Sequence, residues 1–301
     1  HDAPKVLAWI GDREETWEQV GGKAYTPVRI GSQTYDPFDT SEINAQLAEE
    51  KLFYGAGYAQ RLKPTFYLTE IEQKSDLNGY PVILLGRELA RDLLTLPALS
   101  QDNCIVVRQE AARLFLWDQM TYIKPSGKAA FKWGLKRCGI ADANPDTLRA
   151  AFNTIFDLQR TTYIYHELGE IVDTGFDRTL WREIIGAFPQ SPTELLARAV
   201  KDLLADTSAD GALQHLINSG QVVSLALYAA FLDGLLVGGL RLRVSVGIRP
   251  TSPAHAVRCA KVRTTACGTS KVFRPCTGGS RLIAVVATLS RWRTGRGTGR
   301  T

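Results

Sequence analysis

The stretch "TFYLTEIEQKSDLNGYPVILLG", from Thr65 to Gly86, carries the strongest strand signal in the sequence. Two segments rich in strand-forming residues lie on either side of Asn78 and Gly79. Both of these residues tolerate a positive φ angle, so an Asn-Gly pair between such segments is a strong hairpin signal. The sequence therefore predicts a β-hairpin near residues 64–86.

The surrounding sequence predicts a mixed region of strands and short helices over residues 1–128. Before the hairpin, a helix is expected to begin after Asp39, which serves as its N-cap, and to end at Gly55 and Gly57. After the hairpin, "RELARDLLTL" (Arg87–Leu96) has a helical pattern. The following segment, "NCIVVRQEAARLFLWDQMTYI", predicts a short strand that runs into an amphipathic helix.

Residues 129–238 have the pattern of consecutive helices. Asn144 and Ser191 are each followed by proline, so each is expected to cap a helix that begins at that proline. The segment "VVSLALYAAFLDGLL" is apolar nearly all round, as a buried helix is. We therefore predict an α+β, predominantly helical protein, with an N-terminal mixed region that contains a β-hairpin, a C-terminal helical bundle and a disordered or non-native basic tail.

The tail, residues 239–301, differs sharply in composition from the rest of the chain. Residues 1–240 hold 23 Lys and Arg against all 31 Asp and Glu, a net charge of −8, whereas residues 241–301 hold 13 basic residues and no acidic one. One explanation is a low-complexity basic arm that binds nucleic acid through its Arg/Gly segments. The other is a frameshifted end, because out-of-frame translation of GC-rich DNA gives this composition and erases helical periodicity. The tail therefore does not decide the function.

The stretch "TTYIYHELGEIVDT", Thr161 to Thr174, is the part of the sequence that could support catalysis. On a helix, His166 and Glu170 lie four residues apart and share one face. His-Glu-x-x-Glu differs by one residue from the zinc-protease helix motif, in which two histidines bind the metal and the glutamate activates water. In this sequence Glu170 would replace the second histidine as a ligand, and Glu167 would be the base.

A metal at this helix needs a further ligand, and His215 is the one other histidine within residues 2–238. We predict a metal site of His166, Glu170 and His215, with Glu167 as the catalytic base and zinc or iron as the metal. Two alternatives remain. His166 and Glu170 could form an ordinary helix-surface pair that stabilises the helix by roughly a few tenths of a kcal/mol. The same residues could also perform acid–base catalysis without a metal.

The overall composition, with 45% apolar and 22% charged residues, is typical of a soluble globular protein. The sequence contains no run of about 18 apolar residues, which is the length that a membrane-spanning helix requires. The five cysteines are scattered and odd in number, so we expect a reducing cytoplasm, as in a bacterial cytoplasmic protein. The chain begins with His1 rather than Met, which indicates either a removed leader or a fragment.

Three hypotheses for the function follow from the sequence. The first is a non-enzymatic interaction or scaffold module with a protein partner, because helix pairing and core packing explain most of its features. The second is a metal-dependent hydrolase or oxygenase that uses the helix at residues 166–170. The third is nucleic-acid binding through the tail, if the tail is genuine. The sequence leaves open whether the protein is an enzyme.

Overall fold

The computed structural model of the 301-residue chain describes residues 3–20, 23–59, 62–92, 94–172 and 177–232, and three short strands further along. The helices of these residues are α1 (Ala3–Val20), α2 (Thr40–Leu47), α3 (Gln109–Thr121), α4 (Lys128–Arg137), α5 (Pro145–Val172), α6 (Arg178–Ala187), α7 (Pro192–Thr207), α8 (Ala212–Asn218) and α9 (Val222–Phe231). The strands are β1 (Val28–Ile30), β2 (Gln33–Tyr35), β3 (Leu52–Tyr58), β4 (Pro64–Leu77), β5 (Tyr80–Arg91), β6 (Ala98–Gln101), β7 (Cys104–Arg108), β8 (Arg241–Ser245), β9 (Lys261–Ala266) and β10 (Thr269–Val272).

The N-terminal region is built on a five-stranded mixed sheet in the order β3-β4-β5-β7-β6. β5 and β7 are parallel, and the other neighbouring strands are antiparallel. The predicted hairpin is confirmed, because β4 and β5 pair directly on either side of Asn78 (φ 55°) and Gly79 (φ 86°). The amide of Gly79 donates a 2.9 Å hydrogen bond to Oδ1 of Asp76, which holds the turn closed.

The predicted helix over Arg87–Leu96 is wrong, because β5 continues as a strand to Arg91. Arg91 pairs with Tyr67 of β4, so this segment completes the hairpin. Oε1 of Glu88 lies 2.8 Å from Nε of Arg108 on β7, and both side chains are buried. This ion pair joins residues that are distant in the sequence, and such contacts override a weak local preference for helix.

Gly55 and Gly57 do not end a helix, because both lie within β3. The ring of Tyr67 on β4 fills the space that a Cβ at Gly55 would need, so glycine at this position allows the two strands to pair. The helix expected after Asp39 is confirmed as α2, but it ends at Leu47, and the Asp39 side chain makes no capping hydrogen bond.

The two predicted proline-initiated helices are confirmed together with their caps. Oδ1 of Asn144 accepts hydrogen bonds from the amides of Asp146 (3.1 Å) and Thr147 (2.9 Å) at the start of α5. Oγ of Ser191 accepts one from the amide of Glu194 (3.3 Å) at the start of α7. α5 then runs without interruption for 28 residues, so the whole His-Glu-x-x-Glu motif lies in its last turns.

α5 connects the helical region to the sheet. In its first half, Ile155 and Phe156 are completely buried in a core that includes residues of α3, α4 and α9. In its second half, Leu168 packs on Val82 and Leu84 of β5. The predicted α+β organisation, with a mixed N-terminal region and a C-terminal helical bundle, is confirmed, and α5 carries the candidate site into the junction between the two.

Among the described residues, no helix has both the length and the apolar character required to cross a membrane. Of residues 239–301, the structure describes only β8, β9 and β10, which form an antiparallel sheet in the order β10-β9-β8. The rest of this tail, and with it the prediction that the tail is disordered or non-native, lies outside the described residues.

Candidate metal centre

A cavity of about 1140 Å³ is lined by residues of the sheet and of α3, α5, α6, α7 and α9. Its volume is slightly above the range of roughly 300–1,000 Å³ that small-molecule sites usually have. His166, Glu167 and Glu170 of the motif are among its charged lining residues. The motif that the sequence singled out therefore faces a cavity of ligand size rather than the outer surface.

One face of α5 supplies seven residues of the cavity lining, six of them polar and the seventh Ile171. They recur at intervals of three and four residues, which places them along one side of the helix. The six polar residues are Gln159, Thr162, Tyr163, His166, Glu167 and Glu170.

Glycine at position 169 allows α5 and α7 to approach closely. A Cβ at Gly169 would clash with the carbonyl oxygen of Ala205 on α7. Gly211, just before α8, packs against the same carbonyl and would also clash if it carried a Cβ. This close approach brings Asp202 and Asp206, which are one turn apart on α7, to the face of α5 that carries His166.

His166 is held by the carboxylate of Asp206, which is itself held by a phenol. Its Nδ1 lies 2.8 Å from Oδ1 of Asp206, and the hydroxyl of Tyr228 on α9 donates a 2.6 Å hydrogen bond to Oδ2 of the same aspartate. Nε2 of His166 lies 3.4 Å from Oε1 of Glu170. Metal-binding histidines are usually oriented in this way, with one ring nitrogen on a carboxylate and the other on the metal.

His166, Glu170 and Asp202 form a potential set of metal ligands. Each offers one donor atom, and these three atoms lie within 4.8 Å of one another. One imidazole nitrogen and two carboxylate oxygens suit a divalent transition metal such as zinc, iron or manganese. Nζ of Lys201 lies 2.5 Å from Oε1 of Glu170 and 3.9 Å from Oδ1 of Asp202, so this ammonium group competes for the same oxygens.

We refer to six of these side chains as the α5–α7 cluster. They are His166, Glu167, Glu170, Lys201, Asp202 and Asp206.

Electrostatics favours the charged forms of two members of the cluster. Burial by itself would lower the pKa of His166, but Asp206 and Glu170 outweigh burial and raise this pKa well above its ordinary value. Burial would likewise raise the pKa of Glu170, but its hydrogen bond with His166 and the charge of Lys201 lower it to about 2. Both shifts favour the charged form of each side chain in the metal-free protein.

Two other carboxyl groups shift in the opposite direction. Burial, followed by repulsion from Glu170, raises the pKa of Glu167 to about 8. Burial is also the largest cause of the raised pKa of Asp202. The carboxylate of Glu167 makes no hydrogen bond to any residue that the structure describes, although its side chain is buried and lines the cavity. Glu167 is therefore a proton-carrying group beside the donor set.

The structure brings together three of the four residues that the sequence proposed for the site. His166, Glu167 and Glu170 lie in the cluster, whereas His215 does not. The His215 ring stacks on Tyr165 with the ring centroids 3.4 Å apart, and its Nε2 lies 3.3 Å from Nε2 of Gln221. Burial lowers the pKa of His215, which keeps this ring neutral. Asp202 occupies the position that the sequence reading gave to His215.

The sequence reading missed four residues of the site. Lys201, Asp202 and Asp206 lie in "PTELLARAVKDLLADT", for which the sequence predicts a helix capped by Ser191 and no site. A second acid pair at the spacing of one helical turn, Asp202 and Asp206, was the available signal. Tyr228 gave no signal, because it lies in the almost entirely apolar α9.

The fold and the site define an α+β protein with a charged, cavity-lining cluster of histidine, lysine and carboxylates. Two models of one protein family match this chain. The model for the N-terminal domain of a family of unknown function, DUF6866, matches residues 1–108, and the model for its C-terminal domain matches residues 113–237. Together they cover more than three quarters of the chain, so the protein belongs to this family. No curated protein and no solved structure matches the chain.

Proposed function

We propose that the protein is a metal-dependent hydrolase whose centre is the α5–α7 cluster. The observation that carries the proposal is the convergence of His166, Glu170 and Asp202 within 4.8 Å in the wall of a cavity. Three protein ligands leave the other positions of a metal ion open to water and substrate, as catalytic sites require. The hydrogen bond from His166 to Asp206 supports this role, because it turns Nε2 toward the two carboxylates.

Glu167 is suited to act as the general base in this reaction. It is buried, lines the cavity, and lies close enough to His166 and Glu170 to interact with their charges. A divalent cation held by His166, Glu170 and Asp202 would lower the pKa of Glu167 and release its proton. The resulting carboxylate would take a proton from the attacking water as the water oxygen forms a bond to the substrate. The same proton would pass to the leaving group as the scissile bond breaks, so the reaction consumes one water and no other reactant.

A hydrolase fits this donor set better than an oxygenase does. Non-haem iron oxygenases commonly bind iron through two histidines and one carboxylate. With His215 stacked on Tyr165, the described residues provide one histidine and two carboxylates instead. Hydrolysis also requires no electron donor.

Metal binding by the full-length chain tests the proposal. We expect about one equivalent of zinc, iron or manganese after reconstitution, measured by elemental analysis and titration calorimetry. Glu170→Gln and Asp202→Asn should each weaken metal binding at least about 10-fold, because each removes a ligand charge. The matched control is Asp157→Asn, an exposed acid on the same helix, which should bind metal like the wild type.

The role of Glu167 is tested separately with Glu167→Gln. This variant should retain metal but lose at least about 100-fold of the metal-dependent hydrolysis of p-nitrophenyl acetate or bis-p-nitrophenyl phosphate. Less than about a tenth of an equivalent of metal in the folded wild type would reject the hydrolase. The protein would then fit the interaction or scaffold module that the sequence placed first. Nucleic-acid binding by the tail stays a prediction, since most of residues 239–301 lie outside the described residues.

A further inference from the structure

The cavity beside the α5–α7 cluster has a second, uncharged part. Seven side chains that line it each contain a polar atom without a hydrogen-bond partner among the described residues. All seven are hydroxyl, phenol or amide groups, and we refer to them as the polar wall. Its members are Thr65, Tyr67, Gln101, Gln119, Gln159, Thr162 and Tyr163.

The polar wall adjoins the candidate metal centre along α5. Gln159, Thr162 and Tyr163 precede His166 by seven, four and three residues, so they lie within roughly 10 Å of it along the helix axis. Their side chains are only 4%, 5% and 8% exposed. A molecule that contacts these residues would therefore also reach the cluster.

β4 contributes a second side to this part of the cavity. Thr65 and Tyr67 alternate with Phe66 along the strand, so their side chains lie on the same face of the sheet. They are 5% and 2% exposed, and both line the cavity. The polar wall thus combines residues from the sheet and from the helical region, which are the two parts that enclose the cavity.

Buried polar groups without hydrogen bonds indicate which chemical groups a ligand would need in order to bind there. Folded proteins rarely leave buried polar atoms without hydrogen bonds, because each such atom costs about 1–3 kcal/mol. Seven of them around one cavity indicate a ligand that supplies several hydrogen bonds. Amide oxygens accept hydrogen bonds and hydroxyl groups both donate and accept, so the ligand must itself carry several donors.

The absence of charge in the polar wall restricts the ligand further. Phosphate and carboxylate groups are usually bound by Arg, Lys or clustered backbone amides. None of the seven residues of the polar wall is basic. The basic residues of the cavity lie elsewhere in its lining, and Arg198 and Lys201 are already paired with Glu194 and Glu170. A molecule with several hydroxyl groups and no charge satisfies the wall without burying an unpaired ion.

We propose that the polar wall binds an uncharged polyhydroxylated molecule, a sugar or a polyol, and holds it beside the α5–α7 cluster. If the protein is the hydrolase proposed above, this molecule belongs to its class of substrates. That step, in which the bound molecule also reacts, is the part that rests on the proposed function. Binding itself requires the polar wall and not the metal.

Titration calorimetry of the full-length chain tests the proposal with defined probes. The uncharged probes are glucose, N-acetylglucosamine and myo-inositol, and the charged comparisons are glucose 6-phosphate and gluconate. At least one uncharged probe should bind with a Kd below about 10 mM, and more tightly than the charged compounds. Thr162→Val preserves side-chain volume and should weaken this binding about 3- to 10-fold, which corresponds to the loss of one hydrogen bond.

The matched control is Thr154→Val, the same substitution at an exposed position of α5, which should leave the affinity unchanged. Asp202→Asn should weaken metal binding at least about 10-fold but retain the uncharged probe, which separates this proposal from the hydrolase. The proposal is overturned if no uncharged probe binds at about 10 mM, or if only charged compounds bind. Equal affinities of Thr162→Val and Thr154→Val would also overturn it.

Discussion

The sheet and the α5–α7 cluster both bury charged side chains, but they balance those charges differently. In the sheet, Glu88 lies between two arginines, with Oε1 2.8 Å from Arg108 and Oε2 3.2 Å from Arg91. The guanidinium of Arg108 also lies 4.1 Å from the centre of the Tyr67 ring. We refer to Glu88 and Arg108 as the sheet ion pair, and neither residue lines the cavity.

The α5–α7 cluster contains more acids than bases. Four carboxyl groups lie beside His166 and Lys201, and they border a cavity instead of packed strands. In the sheet ion pair, opposite charges neutralise each other and join β5 to β7. In the cluster, excess carboxylate oxygens remain that a cation could bind. The comparison therefore favours the cluster, rather than the sheet ion pair, as the place where a cation would bind.

Among the substitutions that test this comparison, Glu88→Gln should have the largest effect, and the effect should be on stability. The substitution leaves the completely buried Arg108 without its carboxylate, and removal of one partner from a buried pair typically costs about 3–5 kcal/mol. Urea unfolding should show a loss of this size. Metal content of the folded protein should stay unchanged, because neither residue of the pair is among the proposed ligands. A loss below about 1 kcal/mol would mean that the sheet ion pair does not hold the strands together.

The next effect concerns Glu167 and the dependence of stability on pH. Its pKa of about 8 in the folded protein lies above the ordinary value of 4.5, so the folded protein retains a proton that the unfolded chain has released. The free energy of unfolding should therefore fall as the pH rises from about 5 to 8. In Glu167→Gln the free energy of unfolding should decrease over this pH range by a few kcal/mol less than in the wild type. Urea unfolding at several pH values, with a metal chelator present, measures the difference.

Neighbouring groups also contribute to the pH dependence of the free energy of unfolding. The raised pKa values of Asp202 and His166 also make stability fall with rising pH, so part of the slope should remain in the variant. The lowered pKa of Glu170 changes the free energy of unfolding only below about pH 4.5, which is outside this range. A slope identical to that of the wild type would contradict the prediction. The charged or titratable groups that act on Glu167 are His166, Glu170, Lys201, Asp202 and Tyr67.

The smallest effect is expected from Asp206→Asn, which leaves all three proposed ligands in place. The substitution weakens the hydrogen bond that orients His166, and loss of such a partner typically reduces metal affinity about 10- to 100-fold. Titration calorimetry with zinc measures the change. His215→Ala is the comparison, and its metal affinity should match that of the wild type. If His215→Ala instead weakens binding as much as Asp206→Asn, the donor set given above is wrong.

The sequence predicted the features of this fold that depend on neighbouring residues. Asn78 and Gly79 form the hairpin turn because their own backbone preferences allow a positive φ. Asn144 caps α5 because its side chain reaches amides two and three residues away. The predicted helix over Arg87–Leu96 was wrong, because pairing with β4 and the contact between Glu88 and Arg108 outweigh the local helical pattern.

The candidate site divides in the same way. That His166 and Glu170 share a face follows from helical periodicity alone, and the sequence was sufficient to propose them together. Whether His215 or Asp202 joins them depends on how the helices pack. The tertiary structure decides this through the close contact of α5 with α7 at Gly169, which brings Asp202 to the donor set while His215 stacks on Tyr165. Interactions within one or two helical turns are readable from the sequence because the backbone fixes their geometry, whereas contacts between helices depend on packing that no short stretch contains.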